Sequence, residues 1–250
     1  MISCQVQTDG PRHFLQPVGS FDAETQGNLI HAFQALPCPI KIFGVGADFI
    51  QKNPEFVSHF EIHNDSALAN YIYRASDLAT LAGKFYSKKR NLIAQAHRLY
   101  QCSIHKLTPE NSRECLDVLD RVETDREERD AIVQDDRAAV ETAIKNFSAL
   151  GQKGILIQID GKVAAFSIFE PLNRDTAVIH FEKADRHYKG LYQIINQETA
   201  KAIAALGVSL INREEDLGVP GLRQAKQSYG PLEVIPSSTL VFTQSLNNPR

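Results

Sequence analysis

The chain has 250 residues, 43% hydrophobic and 23% charged, with a net charge of −3, proportions that suit one large or two small globular domains. No run approaches the ~20 apolar residues that cross a bilayer, and the first residues lack the apolar core of a secretory signal, so a cytoplasmic location is expected. Cys4, Cys38, Cys102 and Cys115 form no Cys-x-x-Cys pair and read as reduced thiols, and the net charge argues against broad capture of nucleic acid or anionic membrane.

In chain order, residues 22–36 carry a helical pattern ended by Pro37, and 39–44 alternate as a strand through Ile40 and Ile42. Two strands are predicted over 56–63 and 70–74. The longest helix follows at 76–100, with Ser76 or Asp77 as N-cap. A short strand at 103–107 precedes helices over 109–122 and 129–150, the second closed by Gly151. Eleven acids and five bases crowd Arg113 to Glu141, which reads as a solvated face. Residues 154–170 form a hairpin, because Asp160-Gly161 supplies the positive-φ pair of a two-residue turn. A strand at 176–183, a helix at 188–206 ended by Gly207, a strand at 208–213, a helix at 219–229 and a last strand at 238–243 complete the chain. The class is α/β (α+β), divided into residues 1–101, including the 76–100 helix as a link, and residues 102–250.

From Thr176 onward the order strand, helix, strand makes the two strands parallel, with their carboxyl ends side by side. Those ends carry Glu182-Lys183 and Arg213-Glu214, and ligands of open α/β sheets favour the crevice beyond such ends. Charges also interrupt the apolar stripes of three helices, at Lys89, Glu198 and Lys226. Snorkelling lysines and structural ion pairs account for this as readily as a polar cleft does.

Four segments carry a resemblance to a known family: 83–91 (Gly-Lys-Phe-Tyr-Ser-Lys-Lys-Arg-Asn), 180–185 (His-Phe-Glu-Lys-Ala-Asp), 190–198 (Gly-Leu-Tyr-Gln-Ile-Ile-Asn-Gln-Glu) and the stretch from Ile211 through Tyr229-Gly230-Pro231. Over residues 70–231 the chain resembles soluble relatives of the phosphatidylglycerol lysyltransferase C-terminal domain, within the GNAT-like superfamily. The resemblance implies two tandem GNAT-like domains, with mixed sheets and helices on both faces, in which two parallel strands splay to admit an acyl donor. It also implies movement of an aminoacyl group from charged tRNA to a small-molecule, peptide or lipid acceptor. The motifs place Lys89, Arg90, Asn91, Asn196, Glu198 and Tyr229 among the expected substrate contacts. The turn in which acetyltransferases hold the pyrophosphate of acetyl-CoA reads Arg186 to Tyr192 here, with one glycine and a bulky Tyr192, which disfavours acetyl-CoA.

Aminoacyl transfer needs a base for the acceptor, a stabiliser for the tetrahedral oxyanion and a carboxylate for the donor's ammonium. His180 and Glu182, two apart on a strand, are expected on one face, either of them as base or orienter, against the plain alternative of a sheet histidine and a salt-bridged glutamate. Arg213, Arg223 and Lys226 suit an oxyanion or phosphate, and Glu214 and Asp216 an ammonium, although Asp216 suits a helix cap equally. Lys183 joins them at the strand end. Lys88, Lys89 and Arg90 form the one basic stretch suited to the phosphates of a tRNA acceptor end. No metal is expected, because His59 and His63 match ligand spacing only on a helix. A CoA-dependent N-acyltransferase and a non-catalytic binding module remain as alternatives.

Overall fold

A computed structural model of the chain describes residues 3–5, 10–124 and 131–243. The chain divides into two units, Met1–Asn70 with Glu215–Gln224 and Val234–Arg250, and Tyr71–Glu214 with Ala225–Glu233. The boundary thus falls near residue 70, and the 76–100 segment lies inside the second unit. Residues 125–130, including the expected start of a helix at Arg129 and part of the charged stretch, lie outside the described residues.

The first unit contains β1 (Ser3–Gln5), β2 (Arg12–Leu15), α1 (Ala23–Gln34), β3 (Ile40–Val45), α2 (Ala47–Lys52), α3 (Pro54–Val57) and β4 (Phe60–Asn64). Asp22 caps α1, its carboxylate accepting from Thr25 N–H at 2.9 Å. The expected strand at 56–63 begins late, at Phe60: Pro54 starts the short helix α3, and the chain turns extended only after it. Its sheet runs β1-β2-β3-β12-β4, where β12 (Ser238–Phe242) is the chain's last strand. Only β2 and β3 pair in parallel. Phe33, Phe49, Phe56, Phe60 and Phe242 fill the core with Ile40, Ile42 and Leu240, in edge-on and tilted ring contacts of 4.9–6.2 Å.

The second unit is built on β5 (Asn70–Arg74), α4 (Ala75–Thr80), α5 (Ser87–Leu99), β6 (Cys102–Lys106), α6 (Leu116–Thr124), α7 (Ala131–Lys145), β7 (Lys153–Ile159), β8 (Lys162–Pro171), β9 (Thr176–Ala184), α8 (Leu191–Ala204) and β10 (Leu210–Asn212). α9 (Pro220–Gln227) and β11 (Glu233–Ile235) follow in sequence. The seven-stranded sheet has the order β11-β5-β10-β9-β8-β7-β6. One core cluster joins it to α4, α5 and α8, and a second joins it to α6 and α7. Asp160 and Gly161, at φ 52° and 75°, form the expected turn between β7 and β8.

Three departures bear on the site. The 76–100 helix is two helices, because Leu81 and Gly83 turn left-handed (φ 49° and 83°) and break the run; the N-cap is Arg74 rather than Ser76 or Asp77. β9 contains an extra residue: Ile168 pairs with Phe181 but Phe169 with Ile179, leaving His180 as a bulge. Gly190, expected as the glycine of a phosphate turn, opens α8 at φ 91° where a Cβ would lie 2.6 Å from Leu92 O, so it also permits the close approach of α5. Among the described residues no helix is long and apolar enough to cross a membrane.

Candidate functional site

β9 and β10 are parallel, as expected, but they pair only from Thr176 with Leu210 to Val178 with Asn212, while β9 continues to Ala184. Glu182 and Arg213 lie beyond that pairing. Arg213 Nη2 donates to Glu182 Oε1 at 2.9 Å, with the two side chains 13% and 10% exposed. Asn196 of α8 donates to Glu182 Oε2 at 3.1 Å. Past the end of β10, an ion pair therefore links β9 to Arg213, and an amide links β9 to α8.

Around this pair lie groups with unmet hydrogen-bonding capacity. Ser167, directly opposite Glu182 on β8, Asn196 and Thr199 are 0–1% exposed, and Ser167 Oγ, Asn196 Oδ1, Thr199 Oγ1 and Arg213 Nη1 are buried without a hydrogen-bond partner. Each unpaired buried polar group costs about 1–3 kcal/mol. Three of these groups adjoin Glu182 and Thr199 follows Asn196 by one turn of α8, a set that marks a region not selected for stability alone. Tyr73 and Tyr229 provide aromatic walls, with the Arg213 guanidinium carbon 5.7 and 5.2 Å from their ring centres. Burial pushes the Tyr73 phenol up to about 12 and raises that of Tyr229 as well. Both remain protonated hydrogen-bonding groups at neutral pH.

Lys89 reaches the same wall from the first turn of α5. Its ammonium sits 4.0 Å over the Tyr229 ring and 3.0 Å from Ser228 Oγ. Burial, then the nearby Arg213 charge, lowers its pKa. Lys226, 5% exposed, donates to the backbone carbonyls of Arg213 and Glu214, and Tyr73 Oη donates to Lys226 O at 2.8 Å. This lysine is a brace that holds the Arg213-Glu214 backbone in place, with Glu214 at φ 56°, a conformation costing about 1–3 kcal/mol.

His180 and Glu182 are not on one face, because His180 is itself the bulged residue and shares the side of Phe181. His180 Nδ1 meets Glu214 at 2.9 Å and Nε2 meets Glu170 at 3.3 Å. Its ring lines a separate open groove of about 460 Å³, with Phe181, Gln152, Leu150 and alanines of α7. The hydrogen bond to Glu214, opposed by burial and aided by Glu170, raises its pKa, favouring imidazolium. Lys183 leaves toward α7, where it pairs with Asp136.

The remaining candidates have local partners. Arg90 donates to the carbonyls of Leu81 and, at 2.6 Å, Gly83, closing the break after α4. Asn91 is exposed on α5, and Glu198 pairs with Lys201 at 2.7 Å. In the first unit, fully buried Asp216 accepts from Arg223 Nε and Nη2 at 2.7 and 2.9 Å and from Gly218 N–H at 2.9 Å. That arrangement orders the turn before α9. The basic stretch Lys88 to Arg90 is therefore not one continuous charged face. A larger recess of about 550 Å³, lined by Pro109, Arg113, Glu141 and Phe147 among others, holds none of the candidates.

A family model described as "Phosphatidylglycerol lysyltransferase, C-terminal" matches residues 1–240. A crystal structure of a conserved protein of unknown function from Bacteroides thetaiotaomicron VPI-5482 is 33% identical, with a TM-score of 0.82 over 93% of this chain and 79% of that one. L-PGS from Bacillus licheniformis is 14% identical, with a TM-score of 0.70 over 98% and 81% of the two chains. FemX is 9% identical, with a TM-score of 0.65 over 97% and 83%. At such identities the last two likenesses speak for a shared fold. None of the curated proteins matches the chain.

Proposed function

Since the chain belongs to the phosphatidylglycerol lysyltransferase C-terminal family, we propose that it moves an aminoacyl group from charged tRNA, or a similar aminoacyl donor, to an amine or hydroxyl acceptor. The observation that carries this reading is the set of partnerless polar atoms on Arg213, Ser167 and α8 beside Glu182, where β9 runs on past the end of β10. Their chemistry suits an α-aminoacyl group. Asn196 Oδ1, the Ser167 and Thr199 hydroxyls and the Glu182 carboxylate are acceptors for a three-proton ammonium. Arg213 Nη1 is a charged donor for a carbonyl oxygen that turns into an oxyanion as the acceptor attacks.

In that step the acceptor nitrogen or oxygen bonds to the acyl carbon and gives up its proton. The bond from that carbon to the donor's ribose oxygen breaks, and the oxygen leaves as a hydroxyl. Glu182 serves here as holder and orienter, since its carboxylate already engages Arg213 and Asn196. His180 has its own groove and both nitrogens on carboxylates, which fits a positioning role through Glu214 better than direct proton transfer. The acetyl-CoA reading is weaker: Tyr192 packs on the core where the pyrophosphate turn takes a small residue.

A non-hydrolysable aminoacyl-adenosine analogue tests the reading. It should raise the melting temperature of the wild type, and Glu182→Gln should weaken its binding at least about tenfold, the ratio that ~1.4 kcal/mol produces. Stabilisation by acetyl-CoA with none by the analogue would transfer the site to CoA-dependent chemistry.

A further inference from the structure

We propose that Lys89, Arg213 and the Tyr229 ring form a subsite for one small anionic group, a carboxylate or a phosphate, carried by the ligand of this site. Two cations stand against one aromatic ring: Lys89 Nζ lies 4.0 Å from its centre and the Arg213 guanidinium carbon 5.2 Å. The carboxylate paired with Arg213 is Glu182, which takes one guanidinium nitrogen of Arg213 and the amide of Asn196. Arg213 Nη1 is buried without a partner, and the polar partner of Lys89 among the described residues is the neutral Ser228 hydroxyl. One positive charge in this half-buried corner is therefore uncompensated, and like charges held near each other out of water repel strongly.

The helix that delivers Lys89 sharpens the imbalance. The first turn of α5 has no acidic residue, its N-cap Tyr86 supplies no side-chain acceptor, and Lys88, Lys89 and Arg90 occupy the positive end of its dipole. Helix N-termini favour anions and disfavour cations. Arg90 is engaged by the carbonyls of Leu81 and Gly83, and Lys88 is exposed. Of the three, Lys89 alone turns toward Tyr229. An anion held by Lys89 Nζ and one N–H of Arg213 Nη1 compensates the extra charge; Nη1 carries two N–H bonds, which leaves the other for the acyl oxygen. The same arithmetic disfavours a cationic group such as a lysyl ammonium at this position, because Lys89 repels it. On the acyl-transfer reading, the donor or acceptor carries the anion. The test requires no acyl donor, so ion binding and acyl transfer fail separately.

Inorganic phosphate and acetate are titrated separately into the full chain at ionic strength held constant with chloride, and melting temperature is followed. At least one should give a saturable rise, and the one that does identifies the ligand's group as phosphate or carboxylate. Lys89→Gln should need about tenfold more anion for the same rise. Lys88→Gln, with the same change in net charge, should titrate like the wild type. The assignment is overturned if neither anion gives a saturable rise, or if the Lys89 and Lys88 variants behave alike.

Discussion

The two cores of this protein solve burial in opposite ways. In the first unit, Phe33, Phe56, Phe60 and Phe242 meet ring to ring within an all-apolar cluster, and the buried Asp216 nearby in sequence to α9 has each carboxylate oxygen bonded. In the second unit, the cluster around α8 takes in a buried ion pair, a buried amide and two buried hydroxyls, and all five partnerless buried side-chain atoms among the described residues belong to that unit. One of them, Gln152 Oε1, lies at the His180 groove and the other four at the Glu182 site. The contrast teaches that unmet polar capacity here is localised, not a general looseness of the fold. Dry packing contributes stability, whereas the polar gap is maintained against stability.

Substitutions on the two sides of this contrast should respond in opposite directions. The largest effect is expected for Phe33→Ala, which leaves a void among three neighbouring rings and should cost about 3–5 kcal/mol in urea unfolding. A cost near that of a surface change would remove the dry-core half of the comparison. Thr199→Val replaces a buried, partnerless hydroxyl by a methyl of similar size, and should raise stability by about 1 kcal/mol while weakening the aminoacyl-adenosine analogue. A loss of stability instead would mean that the hydroxyl is already satisfied, by an internal water for example.

The smallest effect concerns pH. The pKa of His180 in the folded chain is raised above its ordinary 6.5, chiefly by Glu214. Its stabilising contribution is therefore complete below pH 6.5 and is lost as pH rises through the folded-state value. The charged groups facing the ring are Glu214 beyond β10 and Glu170 on β8, with the Lys183–Asp136 pair linking its strand to α7. The stability difference between wild type and His180→Gln should shrink over that upward sweep. A difference that grows with pH would contradict the carboxylate-bound imidazolium.

Local signals were the legible ones. Asp160-Gly161 announced its hairpin because two positive φ values in succession suit few residues, and the strand-helix-strand run after Thr176 dictated parallel strands and so brought Glu182 to Arg213. The pairing of β12 between β3 and β4 is not legible, since it joins residues far apart in the chain, such as Ser238 with Asn64 and Val241 with Lys41, through register that no local pattern encodes. Nor is the break after α4, whose carbonyls are satisfied by Arg90 nine residues on. Lys89 and Lys226 are legible because charges stand out on apolar helix faces, whereas the small neutral side chains of Ser167 and Thr199 are commonplace in cores and give no such signal. Asp216 and Arg223 looked like ligand contacts and prove to engage each other, a pairing seven residues apart that spans a turn and a helix start.

The single extra residue in β9 works as a phase shifter. Upstream of it Ala177 and Ile179 point into the cluster with α8, and downstream the even-numbered Glu182 and Ala184 take over that direction, sending Phe181 and Lys183 to α7. In an unshifted ribbon, Phe181 would stand where the carboxylate now receives Arg213, and the acid would project toward the other helix layer. Deleting His180 would thus remove the bulge and leave Glu182 on the α8 side and Phe181 on the α7 side, whereas regular alternation with His180 retained would exchange the two sides. The presence of an acid in the gap is a matter of parity as much as of residue identity.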